Sequence, residues 1–337
     1  MSFVCAVMVV LIHVWCTAER GSSCWWTYQI VSNGVCRIAV PFFFVASGFF
    51  LGCRIGEPGW YLMAIKKRAI SLGIPYVLWN FIATCSSFAL GFFTLKLTGG
   101  TFAIGEISFP AILHAGGIDF SDNLPLVPLW YVRTLLFLIG LSFVVPWLWG
   151  GSIRLCVVWL VLVGLDILVI YPASKTVWWH TIFSLKGGAY FFVGLLFARH
   201  KRLYHSVVIN NRGSVVALFL GGGMMCSSIF CGFCNILWLE HIMFLLAIPL
   251  LLFGVWHALV VCHFPKSLTA LSFPIFLVHP FVIVWFESFL GVLKIGHALR
   301  NSFAGCFYRG LLICAISILV ACVIRRLKFA RLLFWGR

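Results

Sequence analysis

His13 interrupts the apolar run VMVVLIHVW. An imidazole titrates near working pH, so it can serve as a general base, or it can spend its nitrogens on hydrogen bonds to a neighbouring helix. Arg37 opens the run RIAVPFFFVASGFFL, and Arg133 stands early in PLWYVRTLLFL. An arginine so placed can stabilise a developing oxyanion or clamp an acidic group. It can also snorkel its guanidinium into a headgroup layer. The cationic run Lys66-Lys67-Arg68 suits phosphate groups, and equally suits a plain positive anchor. Trp130 and Tyr131 read as an interfacial aromatic belt or as a platform on which a sugar stacks. His279 precedes Pro280, whose ring frees a backbone carbonyl, so the imidazole either lines a cavity or makes a structural hydrogen bond. At 3.6 residues per turn Arg37, Pro41, Phe44 and Gly48 share one helical stripe. Ser47 lies about 80° round from Arg37, which makes Ser47-Gly48 a close-packing step rather than a nucleophile. No carboxylate follows or precedes His13 closely, so any group that orients its ring must come from another helix.

The elements that position these groups are apolar. Of 337 residues 63% are hydrophobic and 9% are charged, against roughly 25% charged in a soluble domain. The 34 Phe and 15 Trp suit a lipid-facing surface with aromatic girdles. Runs of spanning type occur near 1–16, 35–53, 70–95, 129–149, 154–171, 183–198, 214–233, 236–256, 268–290 and 305–324. Set against the ~20 residues that cross a bilayer, they predict an all-α polytopic membrane protein with about ten transmembrane helices, one domain over 1–337. Their unbroken character excludes a β-barrel, whose segments alternate.

The formal charge of +16 does not indicate nucleic acid, because the basic residues fall in short runs between apolar segments. If the loop after the second run is cytoplasmic, 15 of the 24 Lys and Arg lie inside, including Arg54, Lys66, Lys67, Arg68, Arg325 and Arg326. That bias places both termini inside. The longest outer loop then carries Glu106, Asp119 and Asp122. Residues 16–18, CTA, faintly resemble a signal-peptidase site, but no basic n-region precedes them and a first transmembrane helix is the reading taken. The 14 Cys sit mostly singly in apolar runs, and Cys231-x-x-Cys234 lacks the companions a metal site needs. A disulfide there, or between Cys24 and Cys36, is open if that side is oxidising.

VVLIHVW, RIAVPFFFVASGFFL, KKRAISLGIPYVLW, PLWYVRTLLFL and LSFPIFLVHPFV, in this order and spacing, resemble the landmarks of the acyltransferase-3 family. The resemblance implies an integral-membrane enzyme of about ten helices that transfers an acyl group, often acetyl from acetyl-CoA, to a carbohydrate or other surface molecule. No bound cofactor or metal is implied; acyl-CoA is a cosubstrate, and a bacterial inner membrane is the expected location. His13 takes the family's active-site position as base, with Arg37 or Arg133 facing the oxyanion. Arg68 matches the first arginine of the family's RxxR element and, with Lys67, would hold the CoA phosphates. Trp130, Tyr131 and His279 are the candidate acceptor contacts. Two departures stand out: the second RxxR position is Ser71, and the cation expected eleven residues before the histidine is Ser2. Either residues precede Met1 or donor binding differs here. A glycan or anion transporter and a catalytically degraded family member are the alternatives.

Overall fold

The computed structural model describes residues 2–14, 19, 21–55, 59–98, 108–118, 124–144, 151–170, 184–200, 211–234, 236–261, 265–293, 302–327 and 329–335. The loop acids Glu106, Asp119 and Asp122 and the CTA at 16–18 lie outside them. The described residues form helices and no strand. In chain order the principal ones are α1 (Ser2–Ile12), α2 (Ser23–Thr27), α3 (Ala39–Gly52), α4 (Trp60–Arg68) and α5 (Ile74–Thr98). They continue with α6 (Trp130–Val144), α7 (Ser152–Leu165), α8 (Leu185–Arg199) and α9 (Asn211–Phe233). The last are α10 (Leu237–Val261), α11 (Ser272–Val292), α12 (Phe303–Arg326) and α13 (Ala330–Trp335).

Every apolar run predicted from sequence holds a helix over its described residues. Among the described residues, five helical runs are both long and apolar enough to cross a membrane: Ser23–Gly52, Ile65–Phe93, Gly213–Gly232, Ser272–Val292 and Ala304–Arg326. Others, such as Ser2–Ile12 and Ile242–Val255, are apolar but shorter, so the described helices support five spans where ten were expected. Large apolar side chains on the long helices face outward, among them Phe219, Phe289 and Leu319, which are more than half exposed. A water-soluble surface does not carry such patches; a lipid-facing one does.

The run containing Arg37 starts earlier than expected. Ser22 caps it by accepting from the Trp25 N–H at 3.2 Å, and the chain stays helical from Ser23 to Gly52. The residues just before the predicted run, which begins at 35, form a π-helical segment, Tyr28–Gly34, followed by a 3-10 turn, Val35–Ile38. Arg37 therefore stands inside a long helical run, at a change of helical type, and not at its mouth.

Two cores hold the helices together. One gathers Val9, Trp79, Ile275, Leu277, Ile313 and Phe334, from α1, α5, α11, α12 and α13. The other gathers Phe44, Leu138, Tyr190, Phe191, Leu245 and Ile248, from α3, α6, α8 and α10. Val40, Phe42, Trp130 and Tyr131 pack against both and stitch the seam. Helix α8 is buried nearly all round, the pattern of a central helix. It lies against α3 through glycines: a Cβ on Gly48 would overlap the Phe191 carbonyl, and one on Gly194 the Val45 carbonyl. Small residues permit this backbone approach between apolar helices. Gly48 thus packs as the sequence implied, while the Ser47 hydroxyl lies 3.2 Å from that of Tyr131.

Candidate functional site

His13 occupies the turn that ends α1, its N–H donating to the Val10 carbonyl at 3.1 Å. The turn delivers a half-buried imidazole to the seam between the two cores. Arg37 approaches from the 3-10 turn before α3. π and 3-10 interruptions re-aim side chains and recur at functional sites. The Arg37 guanidinium lies 3.6 Å from a carboxylate oxygen of Glu240, near the start of α10. Lys186 enters at the head of α8, where Ser184 caps the helix by accepting from the Gly187 N–H at 3.1 Å. Its ammonium stands 4.7 Å from the centre of the Phe244 ring, within electrostatic reach of Asp166, Arg37 and Glu240.

These groups share one cavity of about 440 Å³, within the range of small-molecule pockets. His13, Arg37, Lys186, Glu240, Tyr190 and Trp130 supply its polar and aromatic lining, and Pro41, Phe44 and Phe244 its apolar wall. Arg37, Pro41 and Phe44 are three of the four residues on the stripe read from the sequence. Inside it two cations, Arg37 and Lys186, meet one carboxylate, Glu240, and the buried Asp166 acts on Lys186 from outside the lining. A second cavity of about 290 Å³ lies between α5 and α11, lined by Ala83, Ser86, Pro128 and Val284, and His13 lines this one too. The imidazole therefore stands where a charged cavity and a mostly apolar one meet.

Other sequence candidates fall elsewhere. Arg133 is not among the described residues lining either cavity, and its Nε is buried in the packing at the start of α6. Tyr131 lines neither; its hydroxyl meets Ser47 and donates to the Phe43 carbonyl at 3.4 Å, while the ring packs on Phe44. His279 is fully buried and also lines neither, so it does not present a surface to an acceptor. It stands instead beside His13, ring centres 5.4 Å apart. Its Nδ1 lies 3.3 Å from the Ile275 carbonyl. A carbonyl only accepts, so Nδ1 carries the proton and Nε2 is left as a buried lone pair. It is thus a ring neighbour of His13 from a second helix, with no hydrogen bond from its Nε2 to the His13 imidazole.

Arg68 and Lys67 end α4, at the head of the Ile65–Phe93 span. Lys67 is exposed; Arg68 is half-buried and turns inward, within electrostatic reach of the Tyr131 hydroxyl. Arg54, from the turn after α3, stands in reach of Arg68. It places a second cation beside Arg68. The Ser2 hydroxyl lies 3.1 Å from that of Ser272.

Sequence reasoning missed Lys186 and Glu240 as site members. The signal was present, a charge within an apolar stretch, but nothing in the spacing joined α8 and α10 to α1. Chemically the arrangement offers a base beside two cations against apolar and aromatic walls. It can take a proton from a bound hydroxyl and face negative charge developing on a carbonyl oxygen. Among the described residues no group of three His, Cys, Asp or Glu is placed to hold a metal. A family model described as an acyltransferase domain matches residues 3–326. No curated protein and no solved structure matches the chain.

Proposed function

Because the chain belongs to the acyltransferase family whose model spans nearly all of it, we propose that it moves an acyl group, acetyl foremost, from acyl-CoA to a hydroxyl of a cell-surface carbohydrate or related acceptor. That it is an acyltransferase of the membrane follows from the family and its apolar helices; donor, acceptor and site are the proposal. One observation carries it: His13 shares a cavity with Arg37, Lys186 and the Trp130 ring.

In this reading the acceptor enters the charged cavity and rests on Trp130. His13 removes the hydroxyl proton, and the oxygen attacks the thioester carbonyl. Arg37 and Lys186 face the oxyanion of the tetrahedral intermediate, a role first divided between Arg37 and Arg133. Collapse of the intermediate expels the CoA thiolate, which takes the proton back from the His13 imidazolium. His279 is a positioning residue: its buried ring lies against the His13 imidazole and limits the orientations that imidazole can take. Arg68, with Arg54 and Lys67, holds the phosphate end of CoA. The inward turn of Arg68 toward Tyr131 supports a donor route from that side. The basic-residue bias supports both termini in the cytoplasm of a bacterial cell and CoA arriving from there.

The test is release of free CoA thiol by the purified protein in lipid vesicles, given acetyl-CoA and a panel of sugars and polysaccharides. Acceptor-dependent thiol release with label on the acceptor supports the reading. Acceptor uptake into the vesicles without thiol release would establish a transporter instead.

A further inference from the structure

Cys24 and Cys306 are 282 residues apart in the chain and 2.7 Å apart at their sulfurs. Neither is carried by a loose segment. Cys24 lies in α2, whose first turn is capped by Ser22. Cys306 lies near the start of α12, where Ser302 accepts from the Gly305 N–H at 3.0 Å. A disulfide holds its sulfurs at about 2.05 Å, so the two need close by only about 0.7 Å. Both line a cavity of about 270 Å³ together with Thr27, Leu11, Val14 and Gly310, and Cys306 is partly exposed, which gives an oxidant access.

We propose that Cys24 and Cys306 form a disulfide that ties the segment after α1 to the last long span. The pairing differs from the one the sequence left open, Cys24 with Cys36. Its sidedness follows from the helices. Arg325 and Arg326 end α12 and, by the basic-residue bias, lie on the cytoplasmic side. The opposite end of α12, with Cys306, then faces outward, as does the end of α1 that carries His13. Outside the cytoplasm disulfides form and persist. Formation requires a dithiol-disulfide oxidant. One cysteine thiolate attacks its disulfide, giving a mixed disulfide, and the second cysteine displaces the oxidant's sulfur. The protein loses two protons and two electrons, and the oxidant leaves as a dithiol. Leu11 and Val14 flank His13 and share the wall of this cavity, so the crosslink would fix the end of α1 that presents the imidazole. None of this depends on the acyl-transfer reading.

The experiment is differential alkylation of the full chain in intact cells. Cells are quenched in acid, alkylated with one maleimide, reduced, alkylated with a second, and the cysteines are assigned by peptide mass spectrometry. The expected result is the second label on Cys24 and Cys306 in most molecules, and an unreduced peptide pair joining them. Cys24→Ser should move Cys306 to the first label, and Cys306→Ser should do the same for Cys24. First label on both cysteines in most wild-type molecules would overturn the proposal, as would a peptide pair joining Cys24 to Cys36. The wild-type measurement decides even where a serine variant fails to accumulate.

Discussion

Gly48→Ala tests whether the α3–α8 contact sets the width of the charged cavity. The added methyl would meet the Phe191 carbonyl, a backbone atom that no rotamer change can move aside, and the two helices must part by roughly 1.4 Å or more to restore ordinary contact. Helix α3 carries Pro41 and Phe44 into the cavity, and α8 carries Lys186 and Tyr190 across from them. A displacement of about 1 Å between reacting groups costs on the order of 100-fold in rate. The overpacking itself costs about 1–3 kcal/mol of stability. Initial rates of acyl transfer, normalised to folded protein by gel filtration, should therefore fall about 100-fold, with a lowered Tm in detergent. Gly194→Ala, which meets the Val45 carbonyl from the other helix, should behave alike. Gly223→Ala is the control, because nothing lies within 4 Å of its added methyl. Wild-type rate and Tm in Gly48→Ala would refute the reasoning.

Three further outcomes are expected. His279→Ala should lower kcat about 10–100-fold and leave KM for the acceptor unchanged, since His279 touches neither cavity; steady-state kinetics separates this from an acceptor contact, which would raise KM. Arg68→Ala should raise KM for acyl-CoA about tenfold, the loss of one charge-assisted phosphate contact, measured by varying acetyl-CoA at saturating acceptor. The buried Arg309 side chain, 1% exposed, lies 3.5 Å from the carboxylate of the partly exposed Glu287. Glu287→Gln strands that guanidinium and should cost about 3–5 kcal/mol, whereas adding Arg309→Met should recover much of it; thermal unfolding of the two variants checks both.

Much of the site was visible in the sequence because a polar residue in an apolar helix stands out. His13 and Arg37 each did, and the 3.6-residue stripe placed Pro41 and Phe44 beside Arg37, where the cavity has them. What the sequence could not convey was contact between distant helices. Lys186 and Glu240 join the site only because α8 packs on α3 and α10 packs on α8. His279 reads from sequence either as a cavity residue or as a structural hydrogen bond, and the structure has the second, with its buried Nδ1 on the Ile275 carbonyl and its ring beside His13. Arg309 was hidden as one charge in a run whose hydropathy absorbs it.

The role of His13 is tested most directly by acyl transfer from labelled acetyl-CoA in membranes holding equal amounts of folded wild type and His13→Ala. Loss of the general base predicts a fall of about 10²–10⁴-fold in the rate of acceptor labelling, with the protein still folded. Full acyl transfer by the alanine variant would contradict the assignment of His13 as the base.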